Sequence, residues 1–379
     1  MTGQGFELRP ETASDLSPIV LRVIAPPVPF PADDEMTHLV YELLITNFRA
    51  EPIEITGVQV LDDDTSDVLL DLAGEAVAAN MTAIHDPADT AELAGGETGI
   101  VYLDVTLAPE ATVPAVLAHE VSGVEIASGE DVASVVGART EVDLTTIPPV
   151  IGAPLGEGTW VAAEACCDRS HHRRGPANFN GTIFLAQRYA MDFIRIEDGL
   201  LWEGDDPKDL DSWFTYGEPA LAVADATVVS VLDGEPDITP FEPNPSPITK
   251  DNVTGNHVML DLGGGFYLIY AHLQPGSIEV EVGDTVTKGQ TLGLVGNSGN
   301  TDAPHLHVHV TDALDVIQSN GVPFLYDAFT LHGSFESLDA LLPEPFGEVG
   351  PEEPDLLAEP EDRADEYTLE LSIVSWPSG

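Results

Sequence analysis

The stretch "PHLHVHV" places three histidines, His305, His307 and His309, at alternate positions. Residues two apart in a β-strand point to the same side, so the three imidazoles would line one face of a sheet. The apolar residues between them would then fill the opposite face. Three crowded imidazoles are unfavourable as cations, whereas a bound metal ion keeps an imidazole in its neutral form. The pattern indicates either a metal site or half-exposed histidines on an edge strand.

Other side chains able to bind a metal occur in the same half of the chain, namely His272 in "YAHL" and Asp192 in "YAMDF". A hydrolytic zinc site needs about three protein ligands and one open position for water. It also needs a base, or a group that stabilises an oxyanion, beside that water. His305 and His307 would stand about 6–7 Å apart along a strand. One could therefore hold the metal while the other flanks the open position.

Three runs in this half of the chain carry a family resemblance. They are "GEPALAVADATVVSV", "GNHVMLDLGGGFYLIYAHLQPG" and "VGDTVTKGQTLGLVGNSGNTDAPHLHVHV". In this order they strongly resemble the lysostaphin/LytM-type zinc metallopeptidases, over roughly residues 185–312. The resemblance implies a small antiparallel β-domain with a groove over its sheet. It also implies zinc-dependent hydrolysis of peptide bonds in peptidoglycan stems or cross-bridges.

The resemblance further implies roles for individual residues. His307 and Asp192 would bind Zn²⁺, and His305 and His272 would be catalytic imidazoles near the attacking water. His309 lies where the family more often has an acidic residue. We expect it to have a supporting or rim position at most.

One ligand of the family pattern is missing. The family usually has a histidine four residues before the aspartate, and here that position is Arg188, which stays protonated and has no acceptor atom. A chain reversal within "NFNG", residues 178–181, would bring the "SHHRR" segment opposite residues near 187–190 on a strand "TIFLAQRYAMDFIRI". Neighbouring residues on a strand face opposite ways, so only one of the two histidines can serve. We favour His172 as the third zinc ligand, with His171 as the alternative.

The two cysteines of the chain, Cys166 and Cys167, are adjacent and cannot form a long-range disulfide framework. A thiolate is a good zinc ligand, so one of them could supply the missing ligand instead. The other interpretations are a small buried pair and a vicinal disulfide in an oxidising compartment.

Several arginines cluster near this segment, including Arg169, Arg173 and Arg188. Arginine pairs bidentately with carboxylates, which peptidoglycan stems carry. We therefore take Arg173 and Arg188 as candidate substrate-binding residues, and we add Tyr270 as a third candidate. Internal salt bridges to the many acidic residues are the alternative for the arginines.

The composition is strongly acidic. The 379 residues include 13 basic and 66 acidic side chains, so the net charge is 13 − 66 = −53. Such a charge argues against binding nucleic acid or an anionic membrane surface, and it suits a protein kept soluble in high salt. No apolar run approaches the roughly 20 residues of a spanning helix, and the first residues do not have the pattern of a signal peptide. The family resemblance nevertheless implies the cell envelope or the exterior as the location.

The chain as a whole reads as all-β. Residues 1–19 are expected to be an irregular lead-in, and 20–146 an immunoglobulin-like β-sandwich accessory domain with short strands between Pro, Gly and acidic turns. Residues 147–335 would form the antiparallel peptidase domain. Residues 336–379 read as an acidic, Pro-rich and poorly ordered tail with one strand in "TLELSIVSW".

Three functions compete on this sequence. The leading one is an active zinc endopeptidase that cleaves peptidoglycan. The second is a catalytically inactive family member that regulates the cell wall or binds to it, which the missing ligand favours. The third is a secreted binding module whose β-sandwich carries out the recognition. The presence of His272, His305, His307 and Asp192 together favours the enzyme.

Overall fold

The computed structural model describes residues 17–167, 170–342 and 351–377. Nearly all of its regular structure is β, which confirms the predicted all-β class. The described helices are only a few residues long, and none of them could span a bilayer.

The N-terminal part consists of two antiparallel sheets. Its strands are β1 (Ile19–Val23), β2 (Phe30–Pro31), β3 (Thr37–Asn47), β4 (Ile53–Asp62), β5 (Val68–Ala73), β6 (Met81–Ala83), β7 (Asp86–Asp89), β8 (Glu92–Leu93), β9 (Thr98–Leu107), β10 (Val116–Glu125) and β11 (Asp131–Glu141), with helix α1 (Glu75–Ala79) before β6. One sheet has the order β1-β3-β9-β6-β7, with β2 beside β3, and the other has the order β11-β10-β4-β5, with β8 beside β4. Two such sheets are the parts of the expected sandwich. Its immunoglobulin-like character stays a prediction.

The rest of the described chain is dominated by one large sheet. The elements are β12 (Val150–Ile151), β13 (Thr159–Glu164), β14 (Ala177–Phe179), β15 (Thr182–Phe184), β16 (Met191–Ile196), the 3-10 turn Leu210–Ser212, β17 (Pro219–Leu221), β18 (Ala226–Leu232), β19 (Asn256–Gly263), β20 (Phe266–Leu273), β21 (Thr285–Val286), β22 (Thr291–Leu294), β23 (Leu306–Thr311), β24 (Leu325–Tyr326), β25 (Phe329–Ser334), α2 (Leu338–Leu341), β26 (Asp355–Arg363) and β27 (Ser372–Ser375). Ten of these strands form the sheet β21-β18-β19-β20-β23-β16-β13-β27-β25-β26.

The chain divides into two compact units. The first contains the described residues before Pro27 together with Tyr41–Leu103 and Pro114–Glu141. The second contains Pro27–Val40, Asp104–Val113 and the described residues from Val142 onward. Two segments that the sequence analysis placed in the accessory domain therefore belong to the second unit. Strands β3 and β9 each have residues in both units. A domain boundary placed between two strands, as the sequence analysis placed it, does not divide the chain in this way.

The C-terminal segment is not a separate tail where the structure describes it. Strand β27 lies between β13 and β25 in the large sheet, and the strand expected in "TLELSIVSW" is present. Val374 and Trp376 are buried in the same core as Trp160. Four of the acidic residues that suggested disorder, Asp355, Glu359, Glu361 and Asp362, lie on the edge strand β26, where almost every side chain is exposed. Strand pairing thus orders a segment that composition alone predicts to be loose.

Strand β23 has the two faces that its alternating sequence predicts. Leu306, Val308 and Val310 are fully buried in the main core, together with residues of the neighbouring strands β16 and β20. The histidines alternate with them and face the other side. The apolar face fixes the strand in its register because a shift by one residue would expose every core side chain.

The segment before β16 differs from its prediction. The expected reversal is present as the β14–β15 hairpin, with positive φ of 52° at Asn180 and 80° at Gly181. However, "TIFLAQRYAMDFIRI" is not one strand. A turn at 186–189 separates β15 from β16, closed by a hydrogen bond from the Ala190 amide to the Gln187 carbonyl at 3.0 Å.

Candidate metal centre

Asp192 lies at the centre of the candidate site. It is directly opposite His307 in the antiparallel pair of β16 and β23, and its Oδ1 is 2.8 Å from His307 Nδ1. The other carboxylate oxygen, Oδ2, is 3.4 Å from His172 Nε2 and 3.3 Å from His305 Nε2. One buried carboxylate thus contacts three imidazoles that come from three places in the sequence.

His172 reaches this carboxylate from a turn. The histidine side chain is 14% exposed, and its backbone amide donates to Ser170 Oγ at 3.2 Å. The neighbouring His171 points away, with its side chain 88% exposed and its Nδ1 2.9 Å from Glu164. Of the two histidines considered for the missing ligand, the structure therefore brings His172 and not His171 to Asp192.

His272 enters the site through a backbone irregularity. In a regular strand it would face the same side as Tyr270, which is in the core. Instead, β19 and β20 shift register between Val258 and Asn256, and His272 has a positive φ of 62°. A bulge of this kind turns a side chain toward the other face of a sheet, and such strained residues cluster at functional sites. The His272 ring lies 4.8 Å from the ring of His305 and 5.6 Å from that of His307.

Backbone carbonyls determine the tautomers of His272 and His305. His272 Nδ1 is 2.7 Å from the carbonyl oxygen of Ser298, and His305 Nδ1 is 2.8 Å from that of Ala303. A carbonyl only accepts, so each Nδ1 must carry the proton and donate it. In the neutral ring, each Nε2 then presents a lone pair.

Burial keeps the imidazoles of His172, His272 and His307 neutral. It lowers the pKa of His172 to about 4 and that of His307 to about 3, and the neighbouring imidazoles add to the effect. The pKa of His272 is lowered well below its usual value for the same reasons. Burial raises the pKa of Asp192, although the nearby His172 and His305 oppose this shift. Neutral imidazoles are the form that binds metals.

The donor atoms fit a zinc ion. One donor atom each of His172, Asp192 and His307 lies within 4.8 Å of the others. Donors about 2.1 Å from a tetrahedral zinc are about 3.4 Å apart, close to the separation between Asp192 and His172. His172 Nδ1 is buried and has no hydrogen-bond partner among the described residues, and the ring contacts Asp192 through Nε2. A second group, His272, His305 and His307, shares one ligand with the first but has no carboxylate to balance the charge of the ion.

His309 lies beside His307 in this cluster, which corresponds to the supporting position rather than the rim position considered for it. It is buried rather than at a rim, and its Nδ1 is 2.8 Å from His307 Nε2. Gln187 Nε2 is also 3.4 Å from that atom. The alternation of the three histidines placed His309 on this face. Gln187 was not found from the sequence because it lies in the turn that was read as strand.

The expected substrate contacts do not fit the burial of their side chains. The Tyr270 side chain is fully buried, and its hydroxyl accepts a hydrogen bond from the Val223 amide at 2.9 Å. Arg173 is 1% exposed and donates to the carbonyl of Cys167. Arg188 is 4% exposed and lies over the ring of Tyr189, 5.9 Å from its centre. These residues stabilise the domain from within, and Arg169 lies outside the described residues.

The cysteines do not join Asp192. Cys166 and Cys167 form a vicinal disulfide, one of the alternatives that their adjacency left open. In the described part of the chain, the only group of possible metal ligands that contains a cysteine is Cys167 with His38 and Asp104. The thiolate alternative for the third ligand at Asp192 therefore has no structural support.

Comparisons with known proteins identify the domain. The model of a family described as Peptidase family M23 matches residues 209–319. An uncharacterized metalloprotease of Haemophilus influenzae is 35% identical over 100 residues, which are 26% of this chain and 17% of that protein. The peptidoglycan DD-endopeptidase ShyA of Vibrio cholerae is 42% identical over 53 residues, which are 14% of this chain and 12% of that protein. The matches thus span less than a fifth of either relative.

Two solved structures are also similar to this chain at lower identity. The catalytic domain of lysostaphin from Staphylococcus simulans is 19% identical, with 45% of this chain and 86% of that domain covered and a TM-score of 0.23. The deep-sea M23 metalloprotease pseudoalterin is 15% identical, with 58% and 99% covered and a TM-score of 0.27.

The match to peptidase family M23 is confined to residues 209–319, less than a third of the chain. His272, His305 and His307 lie within the matched residues. Asp192 and His172 lie before them, so their place in the site depends on the geometry described above.

Proposed function

We propose that this protein is a zinc metalloendopeptidase that hydrolyses peptide bonds of peptidoglycan. The observation that carries the proposal is the convergence of His172, His305 and His307 on the single buried carboxylate of Asp192. His307, Asp192 and His172 would hold the ion. A bound Zn²⁺ supplies Lewis acidity toward the scissile carbonyl and toward the attacking water.

Side chains of the protein then carry out the proton transfers of the reaction. His305 Nε2 presents a lone pair to the site because its Nδ1 proton is donated to Ala303. It can accept a proton from the attacking water as general base and return it to the leaving amine. His272 Nε2 has the same orientation because of its bond to Ser298. A lone pair there suits orienting the water better than stabilising an oxyanion, which requires a donor.

The substrate class is inferred from the family and from one relative. ShyA is by its name a peptidoglycan DD-endopeptidase, and the family resemblance implies the same polymer. Action on peptidoglycan would place the protein in the cell envelope or outside the cell.

The second candidate is a catalytically inactive family member that binds the cell wall and regulates its turnover. Arg188 favours it, because it occupies the position of the usual ligand histidine and cannot bind zinc. The position of His172 opposes it, because an imidazole from another segment contacts the carboxylate instead.

One experiment separates the two candidates. The purified full chain is analysed for zinc and incubated with purified sacculi, and soluble peptides are measured. We expect about one zinc per chain and release of peptides, which a chelator abolishes and added zinc restores. Asp192→Ala should lose both zinc and cleavage, whereas His305→Ala should keep zinc and lose cleavage. A zinc-free wild type that binds sacculi without releasing peptides would establish the regulator instead.

A further inference from the structure

Another cluster of possible metal ligands shares no residue with the Asp192 site. It consists of His38 on β3, Asp104 on β9 and Cys167, with one donor atom of each within 4.8 Å of the others. Both oxygens of Asp104 are 3.0 Å from His38 Nδ1. None of the three residues belongs to the stretch that matches the peptidase family.

The surroundings hold the histidine firmly in place. The His38 ring stacks on Phe30, with ring centres 5.5 Å apart, and its Nε2 is 3.2 Å from both oxygens of Asp34. His38 is 3% and Cys167 is 5% exposed, while a quarter of the Asp104 side chain is accessible. The cluster is thus preorganised and can be reached from its carboxylate side.

The disulfide prevents the cluster from being a complete metal site. Cys167 is bonded to Cys166, and a disulfide sulfur lacks the charge of a thiolate, which is the species that binds metals. A phosphine or dithiol reductant would cleave the S–S bond by giving it two electrons. With water and a phosphine, the products are two thiols and a phosphine oxide. Cys167 would then release its proton to solvent when it binds a cation. His38 would release one as well, because its hydrogen bonds to Asp104 and Asp34 outweigh burial and raise its pKa to about 9.

We propose that His38, Asp104 and Cys167 form a second divalent cation site, which becomes available when the Cys166–Cys167 disulfide is reduced. One thiolate, one imidazole and one carboxylate make a donor set that selects Zn²⁺ or Co²⁺ over Mg²⁺ or Ca²⁺. The thiolate and Asp104 together balance the charge of the ion. A water molecule would complete four-coordination.

The two cysteines provide a matched pair of variants. Cys166→Ser leaves Cys167 as a free thiol without any reductant, whereas Cys167→Ser removes the ligand and leaves the other thiol. Both are made in the full chain carrying Asp192→Ala, so that an ion in the peptidase site does not contribute. Each variant is loaded with Co²⁺, freed of excess metal by gel filtration, and examined by elemental analysis and absorption spectroscopy.

The Cys166→Ser variant should hold about one more Co²⁺ per chain than Cys167→Ser and show sulfur-to-cobalt charge-transfer absorption. Adding His38→Gln to Cys166→Ser should abolish both signals. Equal cobalt content in the two cysteine variants, or absorption that survives His38→Gln, would overturn the proposal.

A measurement on the natural cysteines covers the case in which a variant does not fold. The Asp192→Ala chain with both cysteines is loaded with Co²⁺ before and after treatment with a phosphine. The charge-transfer absorption should appear only after reduction. If reduction is complete and no absorption appears, the disulfide opens without creating a metal site and the proposal is wrong. Neither result depends on whether the protein cleaves peptidoglycan.

Discussion

Asp192 and His307 are directly opposed on the antiparallel strands β16 and β23, with Oδ1 and Nδ1 2.8 Å apart. Opposed side chains in such a pair are close neighbours as soon as the strands are in register. The buried face of β23 fixes that register through Leu306 and Val308. The core of the domain therefore positions two of the three proposed zinc ligands.

His309 is expected to orient the ligand His307. If His307 binds zinc through Nδ1, its Nε2 proton is donated to His309 Nδ1, 2.8 Å away. Such outer hydrogen bonds to ligand histidines typically contribute about 10- to 100-fold in metal affinity. We predict that His309→Leu weakens zinc binding by about this factor, as measured by competition with a chromophoric chelator. His309→Gln keeps an acceptor and should recover most of the affinity. Equal affinity of the leucine variant and wild type would show that His309 only fills space.

His119 should make stability depend on pH. Its Nε2 is 2.8 Å from the Tyr41 hydroxyl and its Nδ1 is 3.0 Å from the Ala138 carbonyl, so the ring is neutral. Burial lowers its pKa to about 4, although hydrogen bonding of the ring to the backbone opposes this shift. The unfolded chain, with a pKa near 6.5, takes up the proton first. The stabilisation is therefore complete above about pH 6.5 and is lost as the pH falls toward 4, by up to about 3 kcal/mol.

This prediction is measured by denaturant unfolding between about pH 7.5 and 4.5. The free-energy difference between wild type and His119→Gln should shrink as the pH falls. His85→Gln is the control, because the His85 side chain is 69% exposed. A wild-type to His119→Gln difference that does not change with pH would contradict the assignment of a neutral, buried imidazole.

The net charge of −53 should make the fold depend on salt. Raising the ionic strength from about 0.1 to 1 M shortens the screening length from about 10 to 3 Å, which weakens the repulsion among the acidic side chains. We predict that NaCl over this range raises Tm by about 5 °C or more. Sucrose at matched osmolality serves as the control for general exclusion from the surface. No dependence on NaCl beyond the effect of sucrose would refute adaptation to high salt.

Much of the site follows from sequence patterns that act locally. Alternation places His305, His307 and His309 on one face of β23, and the reversal at Asn180–Gly181 lies where the turn residues indicate it. The position of His272 does not follow from alternation, because a bulge and a positive φ turn it to the other face. Family resemblance identified it instead.

The errors arise where long-range packing overrides composition. Tyr270 and Arg173 were candidates for substrate contact, yet both are buried, and the Tyr270 hydroxyl contacts Val223, which is 47 residues away in the sequence. The acidic C-terminal stretch looks disordered by composition, yet β27 pairs with two strands of the large sheet. The cluster of His38 with Asp104 and Cys167 unites three separate segments, and no spacing in the sequence connects them.

The zinc content of two neighbouring variants tests the central claim most directly. His172→Ala removes one of the three imidazoles that contact Asp192. His171→Ala removes an exposed ring that contacts Glu164. Folding is checked for both by circular dichroism, and zinc is measured per chain after dialysis. We predict about one zinc in His171→Ala, as in the wild type, and almost none in His172→Ala. Full zinc in a folded His172→Ala protein would contradict the proposed metal centre.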